Sequence, residues 1–226
     1  MSGSVKLIVT SDGSHSLYNP ELKETYHSTH GALSESLHVF IKEGIQHMLA
    51  TGFKAFHILE IGFGTGLNVM LVWDYALKHA QNDFHVTSLE PYPLPEEIYS
   101  GLNYAEVLNG SLTQADLLRL HQVEWSENHV LAPNFSLLKQ PCKLEDFTTD
   151  EKFNLVFYDA FAPSKQAELW GIEPLESIYN KMANGGFLVT YCAQGQFKRN
   201  LAGLGMEVET LKGPPGKKEM VRARKI

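Results

Sequence analysis

Cysteine is scarce in this 226-residue sequence, and its two cysteines, Cys142 and Cys192, lie far apart. Neither belongs to the short paired spacings of zinc sites or redox motifs, and two distant cysteines do not form a disulfide framework. This usage is typical of a protein kept in a reducing cytosol. We therefore predict a cytoplasmic protein with no metal ion.

Long apolar segments are missing as well. No run approaches the roughly 18–20 residues that a membrane-spanning helix needs. The first residues, MSGSVKLIVTSDGSHS, lack the apolar centre of a signal peptide. Because 43% of the residues are hydrophobic and 11% aromatic, the composition is nevertheless that of a globular protein. The sequence predicts a single domain over residues 1–226, monomeric and without membrane contact.

Positive charge is in deficit, since the formal net charge is −7. A protein that binds nucleic acid over its whole surface is usually basic, so this balance counts against broad RNA or DNA binding. The charge is uneven, however, because residues 197–226 contain eight lysines and arginines against three glutamates. That segment is either a solubilising surface or a local basic patch.

The stretch HILEIGFGTGLN, residues 57–68, has the pattern of a strand, a glycine turn and a helix start. Gly62, Gly64 and Gly66 allow a ligand to approach bare backbone at the end of a helix that carries free N–H groups. A dinucleotide fingerprint needs another glycine at the position of Leu67. The sequence therefore predicts a nucleotide-type cofactor loop, but not one for a dinucleotide.

Apolar strands alternate with helical patterns along most of the chain, which favours an α/β fold with a doubly wound parallel sheet and helices on both faces. Residues 1–30 predict a small N-terminal β-hairpin extension, and residues 96–133 predict a mostly helical insertion. A closing antiparallel hairpin near the C-terminus makes the expected sheet mixed, with about seven strands.

Four carboxylates lie at or just after predicted strand ends: Glu60, Glu90, Asp146 and Asp159. Strand ends of a parallel sheet meet at one rim, where ligands bind. This set fits S-adenosylmethionine, because Glu90 is placed to accept both ribose hydroxyls, Glu60 to hold the ammonium of the methionine part, and Asp146 to meet the adenine amino group.

Asp159 and Phe161 follow the fourth core strand, where the transferable methyl group of such a cofactor is expected. A carboxylate beside an aromatic ring is suited to orienting an amine. Since a primary amine is mostly protonated at neutral pH, the site must remove a proton before attack. We predict Asp159 as the proton acceptor.

Four segments together resemble the methyltransferase domain of the MnmC family, which takes part in tRNA 5-methylaminomethyl-2-thiouridine biosynthesis. They are LEIGFGTGLN at residues 59–68, DAFAPSKQAELW at 159–170, the spaced motif DGS to VF at 12–40, and KKEM at 217–220. The resemblance spans nearly the whole chain. It implies a Rossmann-like class I methyltransferase that uses S-adenosyl-L-methionine to methylate the aminomethyl group of a modified wobble uridine.

The resemblance also implies roles for individual residues. Tyr26 and Glu35 match the N-terminal motif that lines the site, with Tyr26 placed beside the reacting group, and Lys217 and Lys218 match a C-terminal segment expected near the tRNA anticodon arm. Ala160 stands where the family commonly has glycine. The implied cofactor-binding residues are Glu35, Glu60, Gly62, Phe63, Gly64, Thr65, Gly66, Asn68, Glu90, Asp146 and Asp159.

Alternatives remain open at this point. Bifunctional family members also carry an FAD-dependent oxidase domain, for which this sequence has no room, so we expect a stand-alone methyltransferase or an excised domain. An aminopropyltransferase of the spermidine-synthase type shares a related fold and an aspartate after its fourth strand. A third interpretation is a binding module for S-adenosylmethionine or RNA without catalysis.

Overall fold

The computed structural model describes residues 5–226, which form an N-terminal three-stranded sheet and a main eight-stranded sheet. The strands are β1 (Lys6–Val9), β2 (His15–Asn19), β3 (Glu24–Thr25), β4 (Ala55–Ile61), β5 (Asp83–Leu89), β6 (Asn128–Ala132), β7 (Phe135–Gln140), β8 (Phe153–Tyr158), β9 (Met182–Thr190), β10 (Met206–Lys212) and β11 (Glu219–Lys225). None of the helices within residues 5–226 is long and apolar enough to cross a membrane.

The first helical segment runs without a break from α1 (Ala32–Ser36) through a π-helical stretch (Leu37–Gln46) into α2 (His47–Ala50). Short 3₁₀ turns follow β7 and β8. The remaining helices are α3 (Leu67–Lys78), α4 (Glu96–Tyr99), α5 (Tyr104–Leu108), α6 (Gln114–Gln122), α7 (Ile172–Lys181) and α8 (Gly195–Gly203).

The main sheet has the strand order β10-β11-β9-β8-β4-β5-β7-β6. Strands β4, β5, β7, β8 and β9 are parallel to one another, whereas β11 runs antiparallel to β9 and β6 runs antiparallel to β7. The predicted mixed α/β sheet is therefore confirmed. Because β11 is antiparallel, its first residue lies at the same rim as the carboxyl ends of the parallel strands.

The main sheet has eight strands where about seven were predicted, because the end of the insertion predicted as mostly helical forms β6. Residues 96–133 do form the short helices α4 to α6, but Asn128–Ala132 then pairs with β7 through a turn at Pro133 and Asn134. This edge strand is half exposed, with Val130 68% exposed. It lacks the continuous apolar run that made the central strands recognisable.

Side chains of the central strands alternate between two apolar layers because successive strand residues point to opposite faces. Ile58 and Leu155 pack beneath the π-helical stretch and α3, whereas Leu59 and Val156 pack against α7 and α8. Helices thus cover both faces of the sheet, as predicted. The exposed rim of the sheet is left to the loops that follow β4, β5 and β8.

The N-terminal extension is the predicted hairpin with a third short strand added, and Asp12 in its β1–β2 turn fastens it to α1. One carboxylate oxygen, Oδ1, accepts hydrogen bonds from the Thr10 hydroxyl at 2.8 Å and from the hydroxyl and backbone N–H of Ser14 at 2.5 and 3.1 Å. The other, Oδ2, accepts from the backbone N–H of Ser34 at 2.9 Å and from its hydroxyl at 2.8 Å. Donors from two segments therefore converge on one side chain.

This convergence predicts a pH-dependent contribution of Asp12 to folding stability. Burial alone raises the pKa of Asp12, but hydrogen bonds from Ser14, Ser34 and Thr10 outweigh it and hold the pKa well below its usual range. The stabilisation is complete above the unfolded-state pKa of about 4 and is lost as the pH falls below it. Asp12→Asn should cost about 1–2 kcal/mol at neutral pH and less at about pH 3.

Urea unfolding of Asp12→Asn and of the parent protein at both pH values measures this difference. The matched control is Asp150→Asn at an exposed position, which should change the free energy of unfolding by less than about 0.5 kcal/mol. An equal loss at both pH values would show that the charge of Asp12 is not the cause.

Candidate active site

The glycine loop after β4 lies directly against the loop after β8. Gly62, Gly64 and Gly66 have φ values of +96°, +48° and +74°, a region that L side chains rarely adopt. A Cβ atom added to Gly62 would lie 3.2 Å from the carbonyl oxygen of Asp159. Bare backbone is therefore what allows the two loops to approach, and the predicted strand, turn and helix are all present.

The same loop is tied to the end of β5. The backbone N–H groups of Gly62 and Phe63 donate to the carbonyl of Leu89 at 3.0 and 3.1 Å. Glu90, the next residue, accepts from the backbone N–H of Gly64 at 2.9 Å and from that of Tyr92 at 2.8 Å. Burial raises the pKa of Glu90, and these two donors oppose the rise. Its carboxylate is thus held rigidly at the rim beside the loop.

Glu60, the penultimate residue of β4, is 1% exposed and lies at the centre of the site. The hydroxyl of Ser88 donates a short hydrogen bond to its Oε2. Asn68, in the first turn of α3, donates through Nδ2 to Oδ2 of Asp159 at 2.8 Å. The structure thus brings residues from β4, α3 and the loop after β8 into one polar group, in which Glu60 and Asn68 are buried and Asp159 is partly buried.

Two acceptor atoms of this group are buried and have no partner among the described residues: Oε1 of Glu60 and Oδ1 of Asn68. Buried polar atoms are normally hydrogen-bonded, so two orphaned acceptors in one group indicate a ligand that donates hydrogen bonds. An ammonium group supplies three donors and a positive charge. The residues present therefore fit the amino-acid end of S-adenosyl-L-methionine.

Both carboxyl groups titrate close to neutral pH. Burial raises the pKa of Glu60 to about 8, with help from the charges of Asp159 and Glu90 and against the hydrogen bonds of Ser88 and Asn68. Burial raises the pKa of Asp159 to about 7. Carboxyl groups with such values can exchange protons at physiological pH, which is characteristic of functional sites.

Tyr26 and Phe161 form an aromatic wall beside these carboxylates. Their ring centroids are 5.0 Å apart at an interplanar angle of 79°, an edge-to-face contact. Tyr26 also covers the glycine loop, since a Cβ atom at Gly64 would lie 3.2 Å from its ring. Burial, together with the charge of Glu90, raises the pKa of Tyr26 to about 12, so its hydroxyl stays protonated at neutral pH.

Glu35 and Lys217 meet on the other side of the site. Glu35 accepts from the backbone N–H of Ser28 at 3.1 Å and forms a close ion pair with the Lys217 ammonium. The same ammonium lies 4.0 Å from the ring centroid of Tyr191. The structure thus places Lys217 within the site, whereas Lys218 is exposed at the surface.

Asp146 lies apart from this buried group. It ends the 3₁₀ turn Leu144–Asp146 after β7 and is exposed. Its position at the rim beyond β7 is compatible with the adenine contact that the sequence predicts. No group of three or more histidine, cysteine or acidic side chains in the described part of the chain is arranged to bind a metal.

Sequence reasoning missed the residues that support the loop after β8. The Tyr191 hydroxyl donates to the carbonyl of Ala160 at 2.7 Å, and the Trp170 indole donates to the carbonyl of Phe161 at 2.8 Å. The Gln166 side chain accepts from the backbone N–H of Phe161 at 3.2 Å. Tyr191 carried a usable signal, because it follows a buried strand at the same rim as the acidic residues.

A second missed group lies beneath the glycine loop. The His121 ring donates through Nε2 to the carbonyl of Thr65 at 3.1 Å, and the His27 ring shares a 2.8 Å hydrogen bond with the Thr65 hydroxyl. The fully buried Lys139 donates to the carbonyl of His121 at 2.6 Å, and its ammonium lies 4.5 Å from the ring centroid of Trp125. The sequence feature that could have indicated this group was Lys139, a lysine inside the otherwise apolar strand FSLLKQ.

Comparisons with known proteins agree with this geometry. A family model for S-adenosyl-L-methionine-dependent methyltransferases matches residues 132–226. A tRNA 5-methylaminomethyl-2-thiouridine biosynthesis bifunctional protein MnmC from Cupriavidus metallidurans is 31% identical over 96% of this chain and 33% of its own length. Its counterpart from Leptospira interrogans is 27% identical over 89% of this chain and 32% of its own length. The chain spans about a third of the length of these curated relatives.

Two solved structures are similar to this chain. The crystal structure of MnmC2 from Aquifex aeolicus is similar with a TM-score of 0.78 at 25% identity, covering 98% of this chain and 70% of that chain. The O-methyltransferase NovP is similar in fold alone, with a TM-score of 0.53 at 12% identity over 88% of this chain and 82% of its own.

The orphaned oxygen of Glu60 predicts proton-linked cofactor binding. An ammonium group binds the ionised carboxylate, so affinity for S-adenosyl-L-methionine should rise as the pH rises toward the Glu60 pKa of about 8. Binding should also release protons. Glu60→Gln should weaken binding by about 10–100-fold, as expected for a lost charged hydrogen bond, and release fewer protons.

Calorimetry in two buffers of different ionisation enthalpy measures both quantities. Ser88→Ala is the matched control, because it removes only the donor that lowers the Glu60 pKa and should shift the affinity curve to higher pH. If Glu60→Gln bound with unchanged affinity and proton release, Glu60 would not hold the ammonium.

Proposed function

We propose that this chain, part of which matches the family model for S-adenosyl-L-methionine-dependent methyltransferases, is such an enzyme and methylates the aminomethyl group of a modified wobble uridine in tRNA, acting in the cytoplasm. The observation that carries the proposal is Asp159, a carboxyl group with a pKa of about 7 beside an aromatic wall at the cofactor rim. The names of the curated relatives and their extent along this chain support the choice of substrate.

Different residues at the rim are assigned to different parts of the cofactor. Glu60 and Asn68 would hold the ammonium with their unpartnered buried oxygens, and Glu90, fixed beside the glycine loop, would accept the ribose hydroxyls. Asp146 would meet the adenine from the turn after β7. When bound, S-adenosyl-L-methionine supplies a methyl group on a sulfonium, which is a strong electrophile.

Asp159 prepares the amine for this transfer. The substrate arrives as an alkylammonium ion, and Asp159 accepts one of its protons, which frees the nitrogen lone pair. Asn68 fixes the orientation of the carboxylate through the 2.8 Å hydrogen bond, which holds the proton acceptor in one position for the amine.

Tyr26 and Phe161 provide the surface for the uridine ring. Bases that are read individually in RNA loops are splayed out and stack on aromatic side chains. The edge-to-face pair includes Phe161, two residues after Asp159, and an aromatic ring at that place would suit an unstacked wobble base. An acidic protein can bind tRNA in this way because only the anticodon arm needs to make contact.

The basic contact to the anticodon arm is assigned to exposed lysines of the C-terminal hairpin. Lys212 ends β10 and Lys218 follows in the turn, at the same rim as the catalytic residues. Both lysines are exposed, whereas Lys217 is paired with Glu35. We therefore place the phosphate contacts on Lys212 and Lys218.

Activity on hypomodified tRNA tests the substrate and the role of Asp159 together. With labelled S-adenosyl-L-methionine, the aminomethyl uridine should gain one methyl group, identified by nucleoside mass spectrometry. Asp159→Asn should still bind cofactor but lose about 10²–10⁴-fold in turnover, because it cannot accept the proton. Asp150→Asn serves as the exposed control.

Retained turnover in Asp159→Asn would remove the proton-acceptor role. Absence of label on aminomethyl uridine would reject the substrate. A clear binding preference for the decarboxylated cofactor would favour aminopropyl transfer, since a group that holds the methionine carboxylate would then be unneeded.

The salt dependence of tRNA binding tests the basic contact. Replacing Lys212 and Lys218 with glutamine should weaken binding and reduce the slope of log affinity against log salt by roughly one for each phosphate interaction that is removed. Lys54→Gln is the control, because the exposed Lys54 precedes β4 and so lies at the amino ends of the parallel strands, opposite the catalytic rim. An unchanged slope in the double variant would place the phosphate interactions elsewhere.

A further inference from the structure

The turn between β10 and β11 reaches into the active site. Its backbone is closed by hydrogen bonds from the N–H of Gly213 to the carbonyl of Lys218 and from that of Lys217 to Pro214, both 3.0 Å. Gly216, at φ +84°, presses against the N-terminal segment, since a Cβ atom there would lie 2.2 Å from the His30 ring. The antiparallel strand β11 thus brings a C-terminal turn back over the catalytic rim.

Lys217 projects from this turn toward two partners that touch the catalytic machinery. Its ammonium pairs with Glu35 of α1, and the Glu35 side chain is only 6% exposed. It also lies 4.0 Å from the ring centroid of Tyr191, whose hydroxyl donates to the carbonyl of Ala160 at 2.7 Å. Ala160 directly follows Asp159, so Lys217 reaches the catalytic loop through Tyr191 and the N-terminal segment through Glu35.

We propose that Lys217 is a positioning residue for methyl transfer: with the buried Glu35 it forms a partly buried ion pair that sets the charge around Asp159 and fastens the N-terminal segment over the rim. The proposal rests on the proposed function, because Asp159 is there the proton acceptor. It gives Lys217 a different task from that of its exposed neighbour Lys218.

Charged and polar groups from several elements act on Asp159 or are acted on by it. Lys217 is the only cation among the described groups that act on this carboxylate, and its charge lowers the Asp159 pKa while that of Glu35 raises it. The charge of Asp159 in turn acts on Glu60 and Tyr191. The groups and their origins are Glu60 from β4, Asn68 from α3, Glu35 from α1, Tyr191 after β9 and Lys217 from the turn.

Removing either partner of the ion pair tests the proposal, because the two variants should shift the Asp159 pKa in opposite directions. Lys217→Gln removes the cation, so the Asp159 pKa should rise. Glu35→Gln removes the anion, so the Asp159 pKa should fall. Both variants lose the same ion pair, and a purely structural role would therefore affect them in the same direction. Lys217→Arg keeps the charge and should restore the parent behaviour.

The direct measurement is a pH titration of aspartate side-chain carboxyl groups by ¹³C nuclear magnetic resonance in the substrate-free protein, with the Asp159 signal assigned through Asp159→Asn. The midpoint should move up in Lys217→Gln and down in Glu35→Gln, each by about one pH unit or less. Lys218→Gln should leave this midpoint unchanged. The acidic limb of the turnover profile should move in the same directions.

Opposite shifts with rescue by Lys217→Arg support the proposal even if tRNA proves to be the wrong substrate, because the titration needs no substrate. Shifts of the same sign, or none, overturn it even if tRNA is methylated. Lost turnover in both variants without any movement of the Asp159 midpoint also overturns it, since Lys217 would then act through packing alone.

Discussion

The close approach of the glycine loop to the loop after β8 is the constraint on which the site depends. With 3.2 Å between a hypothetical Cβ at Gly62 and the Asp159 carbonyl, any side chain there would push the loops apart. The approach brings Glu60, Asn68 and Asp159 together and leaves two acceptor oxygens buried and unpaired among the described residues. A wider separation of the loops would admit water and remove the requirement for a charged donor.

Burying carboxylates in this way is unfavourable for folding, and the rest of the structure compensates for it locally. Desolvation of an ionised group costs several kcal/mol unless it is paired or becomes neutral. The raised pKa values of Glu60 and Asp159 express that cost, and the Lys217 charge partly offsets it at Asp159. A cationic ligand that pairs with these carboxylates removes part of this desolvation cost. That gain contributes to the free energy of ligand binding.

The local motifs were readable from the sequence because each depends on neighbours along the chain. The apolar run before Gly62, the glycine spacing and the carboxylates at strand ends predicted the parallel sheet, the loop and the S-adenosyl-L-methionine cofactor. Strand β6 was not predicted, because an exposed edge strand such as Asn128–Ala132 is stabilised by its pairing with β7 rather than by its own apolar pattern. Likewise, Lys139 beneath the loop was visible only as an unexplained cation in an apolar strand.

The sequence by itself determined the residue types at the rim: Glu60, the three glycines, Glu90 and Asp159, and with them the class of cofactor. Only the tertiary structure decided what lies around Asp159. Glu35 and Lys217 are 182 residues apart along the chain and meet only because β11 returns antiparallel to β9 and carries its turn back to the rim. Electrostatic effects depend on distance in space and on burial, and neither is encoded in local sequence spacing.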